Sequence, residues 1–130
     1  MSGENIPEVE YLASESTKGM PFSEAVRVGN MLYLSGQLGR DSSGKMVPGG
    51  IVPETKQTME NIKATLERYG SSLDHVIKVT VMLADISEWP AMNEIYAGYF
   101  SKHLPPRSAL GANGLALGAR VEIEVIAVVK

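Results

Sequence analysis

The sequence predicts an α+β domain whose elements run β-β-β-α-β-α-β-β, with two helices on one face of a mixed sheet. Short apolar runs broken by turn residues fill the first third of the chain. Two helical stripes follow, each flanked by β-branched runs, and the last of those runs alternates in character along both of its faces.

Near the start, "VEYLAS" has the composition of a short strand. "SEAVRV" and "MLYLSG" are separated by Gly29-Asn30, a pair that tolerates positive φ and suits a tight hairpin. "RDSSGKM" is a second turn cluster and predicts a loop, so the opening third reads as an antiparallel meander. The first helix is expected to open at Pro53-Glu54, where proline is welcome in the first turn and an acid complements the helix dipole. Met59, Ile62, Leu66 and Tyr69 form its apolar stripe and Gly70 supplies the stop.

"HVIKVTVMLA" reads as a strand with Val76, Lys78, Thr80 and Met82 on one side and Ile77, Val79, Val81 and Leu83 on the other. The second side is wholly apolar and is expected to lie under a helix. Asp85 or Ser87 can cap the second helix, with Glu88 in its first turn and a buried stripe of Trp89, Met92, Tyr96 and Tyr99 or Phe100. Pro105-Pro106 cannot continue a helix, so Arg107 to Leu110 become a strand, and Val121 to Val129 the last one. That last strand places Val121, Ile123, Val125, Ala127 and Val129 on one face and Glu122, Glu124, Ile126 and Val128 on the other. Two helices cover only one face of a sheet, so the partly apolar second face needs a partner, expected to be another copy of the chain.

At 130 residues the chain fits one domain, 1–130. With 44% hydrophobic and 21% charged residues it reads as an ordinary soluble protein. A net charge of -3 without clustered Lys and Arg argues against a nucleic-acid partner. The absence of cysteine removes disulfides and thiolate chemistry, and fits a reducing compartment. His75 and His103 are the only histidines and form no ligand pair, so no metal is expected. "MSGENIPEVEYLAS" lacks the basic and apolar regions of a signal peptide. The longest uncharged stretch, Ser108 to Ala119, is too short and too glycine-rich to span a bilayer. A cytoplasmic protein with no membrane partner is expected.

Two ionisable residues stand out in the apolar C-terminal third. Arg107 begins a strand straight after two prolines, and its planar fork matches a carboxylate bidentately; the same residue could equally form a surface or interface salt bridge. Glu122 lies inside a β-branched run. It could act as general acid or base on a water if burial raises its pKa, or it could be the polar member of an alternating edge strand, as Glu124 is. Gly111, Gly114 and Gly118 fit neither GxGxxG nor a phosphate loop and read as loop glycines. Trp89, Tyr96, Tyr99 and Phe100 at helical spacing read as core.

"PPRSAL" followed by "VEIEVIAV" resembles the C-terminal signature of the Rid (YjgF-like) family of reactive-intermediate deaminases: a small or Pro residue, another, Arg-Ser, an aliphatic, a glycine-containing loop, then aliphatic-Glu-Ile. "VGNMLYLSGQLG", "VPETKQTMENIKATLE", "VIKVTVMLADISEW" and "MNEIYAGYF" match further family blocks in order and spacing. The likeness runs from about Gly19 to Val129. It implies a chorismate-mutase-like fold that assembles as a trimer around a central barrel, with ligand clefts between subunits. The implied reaction is hydrolysis of 2-imino and 2-enamino acids such as 2-aminoacrylate to 2-keto acids and ammonia, without cofactor or metal. Arg107 resembles the family's carboxylate-binding arginine and Glu122 its water-positioning acid. Ser35 and Gly36 match a cleft lining, Asn93 a polar residue near the ligand, and the backbone around Ala109 a carboxylate contact. Phe22 stands where many members have tyrosine, and Asn113 where the signature prefers a small or basic residue; both departures bear on substrate range. The alternative is a non-catalytic trimeric binder of small carboxylates, which would need Arg107 but not Glu122. Ribonuclease activity, attributed to some members, sits poorly with the acidic balance.

Overall fold

The computed structural model describes residues 6–130. Its elements follow the expected order: β1 (Val9–Leu12), β2 (Ala25–Val28), β3 (Met31–Leu34), α1 (Ile51–Arg68), β4 (Val76–Leu83), α2 (Trp89–Ala97), β5 (Arg107–Gly111) and β6 (Val121–Val128). The six strands form one sheet in the order β1-β2-β3-β6-β4-β5. The β4–β5 pair is parallel and every other neighbouring pair is antiparallel. This arrangement follows from the connections. Gly29, at φ 59, closes the tight β2–β3 hairpin, whereas α2 returns the chain to the start of β4 so that β5 must run the same way.

Both helices cover the same face. Met59, Ile62 and Leu66 of α1 and Met92 and Tyr96 of α2 pack on Leu32, Leu34, Val79, Val81, Leu83, Ile123 and Val125 to make the core. Helix α1 begins at Ile51, two residues before the expected start. Gly49 and Gly50, both at positive φ, turn the chain into it, and Pro53 still falls in the first turn, where its missing N–H leaves nothing unpaired. Asp85 caps a 3-10 turn at Ile86–Glu88, accepting the Ser87 N–H at 2.9 Å, rather than capping α2 itself.

Two expectations need correction. Ile77 is 44% exposed and is not on the buried side of β4, while Val76 is buried. A bulge between Val76 and Lys78 against β6 shifts the alternation by one residue at that end. Trp89, expected in the buried stripe of α2, is 43% exposed, and its ring is used differently, as described below.

Among the described residues no helix covers the other face of the sheet. Register places Val9, Tyr11, Val26, Val28, Met31, Tyr33, Ile126 and Val128 there, with Lys78, Thr80, Met82, Glu122 and Glu124 farther along. Tyr11 on this face is 74% exposed, and Tyr33 and Leu110 are also open.

Candidate functional site

Register decides where the two ionisable residues point. Arg107 pairs with Val79 and therefore lies on the helix-covered face at the edge strand β5. Glu122 pairs with Met82, three residues along β4 from Val79, and therefore lies on the open face. A single chain thus holds Arg107 and Glu122 on opposite faces of its sheet and does not bring them together.

The Arg107 half is built by α2. Trp89, Met92, Asn93 and Tyr96 fall at helical spacing, so one stripe of the helix looks onto the edge strand. The guanidinium carbon lies 4.8 Å from the Tyr96 ring centroid and 5.6 Å from that of Trp89, and Nη1 is 4.0 Å from Met92 Sδ. Aromatic faces hold the planar group in place and leave its in-plane donors available. Among the described residues no carboxylate forms an ion pair with it; the three ion pairs are Arg68–Glu24, Lys102–Asp74 and Arg120–Glu88. Asn93 Oδ1 and the Tyr96 hydroxyl are buried without a hydrogen-bond partner among the described residues. Such orphaned atoms are rare in a folded protein. Burial pushes the Tyr96 phenol above its ordinary pKa, with the Arg107 charge opposing. Ala109, two residues along β5, faces the same way and packs on the core.

The Glu122 half is a cleft of about 750 Å³. Phe22, Ser35, Gly36 and Glu122 all line it, whereas Asn93, Arg107 and Ala109 do not. Gly36 follows β3, where Gln37 exchanges both backbone hydrogen bonds with Ile123 and so lays this segment against β6. A Cβ built at Gly36 would overlap Glu122 Oε2 and lie 3.0 Å from Cδ, so only glycine lets the carboxylate sit against the backbone here. Ser35 donates its hydroxyl to the Ser23 carbonyl at 2.6 Å, which fixes the cleft wall. Half-burial raises the Glu122 pKa above its ordinary value, and the like charge of Glu124 on the same face adds to the rise. No hydrogen bond contributes to that shift. A half-buried carboxyl with a raised pKa is a candidate to exchange a proton with water.

A second carboxylate lining the same cleft behaves differently. Glu24 is 3% exposed and accepts from the hydroxyls of Ser14, Ser16 and Tyr69 and from Arg68 Nη1. Burial alone would raise its pKa, but the hydrogen bonds from Ser14, Tyr69 and Ser16 and the Arg68 charge outweigh burial and lower it. Sequence reading missed Glu24, Arg68 and the aromatic bed under Arg107. The stripe spacing of Trp89 and Tyr96 was visible, but nothing local told core from guanidinium stacking.

Among the described residues no group of three or more His, Cys, Asp or Glu is placed to hold a metal ion, and no helix is long and apolar enough to cross a membrane.

The chain is similar to several known proteins over most of its length. A model of the family described as Endoribonuclease L-PSP matches residues 14–129. The mouse protein named 2-iminobutanoate/2-iminopropanoate deaminase is 48% identical over 109 residues, covering 83% of this chain and 81% of its own. The human protein of the same name is 43% identical, covering 83% and 80%. Among solved structures, a yeast protein superposes with a TM-score of 0.89 at 38% identity, over 95% of this chain and all of its own. RidA from an Antarctic Psychrobacter superposes with a TM-score of 0.82 at 34% identity, over 96% and 99%.

Proposed function

The chain belongs to the Endoribonuclease L-PSP family, the Rid (YjgF-like) group, with its chorismate-mutase-like fold, and on that premise we propose that it hydrolyses 2-imino acids to 2-keto acids and ammonia. The observation that carries this reading is Glu122: a half-buried carboxyl lining an open cleft and lying against the Gly36 backbone, its pKa raised by burial and by the charge of Glu124.

Because one chain keeps Arg107 and Glu122 on opposite faces, the working site needs two copies. The exposed apolar face of the sheet suits a homotrimer in which the open face of one protomer, with Glu122, meets the β5 edge of its neighbour, with Arg107. Phe22, Ser35 and Gly36 then belong to the Glu122 side of each cleft, and Asn93 and Ala109 to the Arg107 side.

The chemistry follows from these positions. Arg107 takes the substrate carboxylate with two charge-assisted hydrogen bonds, each worth about 1.5–3 kcal/mol. That fixes the imine carbon against a water held by Glu122 of the neighbour. Glu122 accepts a proton as the water oxygen bonds to C2 and the C=N π electrons move to nitrogen, giving a carbinolamine. Glu122 returns that proton to nitrogen; the carbinolamine hydroxyl then forms the C2=O bond as the C–N bond breaks, and its proton, relayed through Glu122, goes to the departing nitrogen, so that the 2-keto acid and ammonia leave and the carboxylate is restored. Positioning plus one acid-base group supply roughly 10²- to 10⁴-fold, enough for an imine that already hydrolyses readily in water. A reducing cytoplasmic setting fits the cysteine-free chain. The ribonuclease implied by the family description is not carried over, because the chain has a net charge of -3 and neither histidine lines the cleft.

The test couples a threonine dehydratase to the protein and follows trapping of the released imine by semicarbazide. Faster keto-acid release with wild type, lost in Arg107→Ala, supports the reading. Equal release with and without the protein rejects it in favour of a carboxylate binder.

A further inference from the structure

Leu117 is the one non-glycine residue with positive φ among the described residues, at φ 58 and ψ 24. A leucine there crowds its own backbone, a cost of the kind that collects at functional sites. Packing of its own side chain does not offset that cost, because the side chain is 66% exposed. The fold also had an unstrained choice at hand. Gly118, the next residue, is left-handed too, and Gly114 in the same loop has φ 142.

What the position does offer is the cleft. Leu117 lines it together with Met20, Phe22, Gly36 and Glu122. Met20, Phe22 and Leu117 are all exposed large apolar side chains, and they arrive from two separate stretches of the sequence. The remaining wall, around Arg40, Asp41, Asn61 and Arg68, is mostly polar.

We infer that Leu117 is a specificity-determining residue, which with Met20 and Phe22 forms an apolar clamp for the substrate's side chain beside Glu122. The clamp favours 2-imino acids with branched or aromatic side chains over the smallest ones. This inference rests on the imine-hydrolase reading for the identity of the ligand, but its test does not require turnover. Burying the ligand's apolar atoms against the leucine supplies the reward that the strained backbone lacks in the free chain.

The variant of choice is Leu117→Asn, because asparagine tolerates the left-handed region while removing the apolar surface. Wild type and variant are titrated calorimetrically with 4-methyl-2-oxopentanoate and with pyruvate, the products of a branched and a small imine. Thermal midpoint and assembly mass are recorded in parallel, and hydrolysis of the two parent imines is followed. Wild type is expected to bind the branched acid more tightly than pyruvate, and that preference to shrink about tenfold in the variant. The thermal midpoint is expected to hold or rise and the mass to stay constant. Equal preference in the two proteins overturns the clamp, as does the absence of binding to either acid by wild type. A variant that melts earlier or loses its assembly also overturns it, since Leu117 would then be covered by another copy of the chain. If the preference shifts as expected but no imine is hydrolysed, the clamp stands and the hydrolase reading falls.

Discussion

Glu24 with Arg68 and Glu122 with Arg107 are two carboxylate–guanidinium sets in one small protein, and they have opposite fates. In the first, the groups touch, two serines and a tyrosine complete the carboxylate's shell, and the pKa falls. In the second, the carboxylate sits half-buried beside another acid, its pKa rises, and the arginine rests on aromatic rings on the other face of the sheet. A charge whose bonding capacity is already filled by the fold holds the fold together. A charge left unfilled at a partly dry site can be spent on a ligand.

The largest expected effect is on the unfilled set. Glu122→Gln should slow keto-acid release by about 100-fold or more while keeping affinity for a 2-keto acid, as read by coupled turnover and calorimetry. If binding collapses instead, Glu122 belongs with Glu24 as a structural group. Next comes Glu24→Ala, which leaves Arg68 without its partner and opens a polar gap. It should cost about 1–3 kcal/mol in denaturant unfolding with little change in turnover per folded molecule. Loss of turnover at unchanged stability would erase the distinction between the two sets.

The pH dependence of stability separates them by sign. Glu24 titrates lower in the folded chain than its ordinary 4.5, so its contribution is present above that value and disappears as pH falls through the lowered one. Glu122 titrates higher when folded, so its protonated form favours folding below 4.5 and that contribution is lost as pH rises through the raised value. Glu24→Ala should therefore flatten the acid limb of the stability profile, and Glu122→Gln should gain stability at neutral pH but not at acid pH. The smallest effect is on the aromatic bed. Trp89→Ala should raise KM about threefold to fivefold with kcat nearly unchanged, since a half-exposed cation–π contact is worth roughly 0.5–1 kcal/mol.

This contrast was only half legible in the sequence. Gly29-Asn30, the Met59–Ile62–Leu66 stripe and the alternation of Val121 to Val129 are local patterns, and each produced its element in the expected order. Ile77 went astray because a bulge is a property of two paired strands, and no single strand announces it. Trp89 went astray because helical spacing says which residues share a stripe, not what the stripe meets. Arg107 and Glu122 stood out as ionisable residues in apolar runs and took their roles from family resemblance, yet their opposite facing depends on the register of β5 and β6 against β4, which the sequence does not print. Glu24 was silent because its partners lie between 8 and 45 residues away, brought in only by the fold.

Complementation between inactive chains tests the two-copy site most directly. Arg107→Ala and Glu122→Gln protomers, each inactive alone, are unfolded together, refolded as a mixture and assayed for imine hydrolysis. A site shared between neighbours predicts recovery of roughly a quarter of wild-type activity from an equal mixture, because random assembly pairs an intact Arg107 with an intact neighbouring Glu122 at about that frequency. Mixed assemblies that form but stay as inactive as their parents would contradict it.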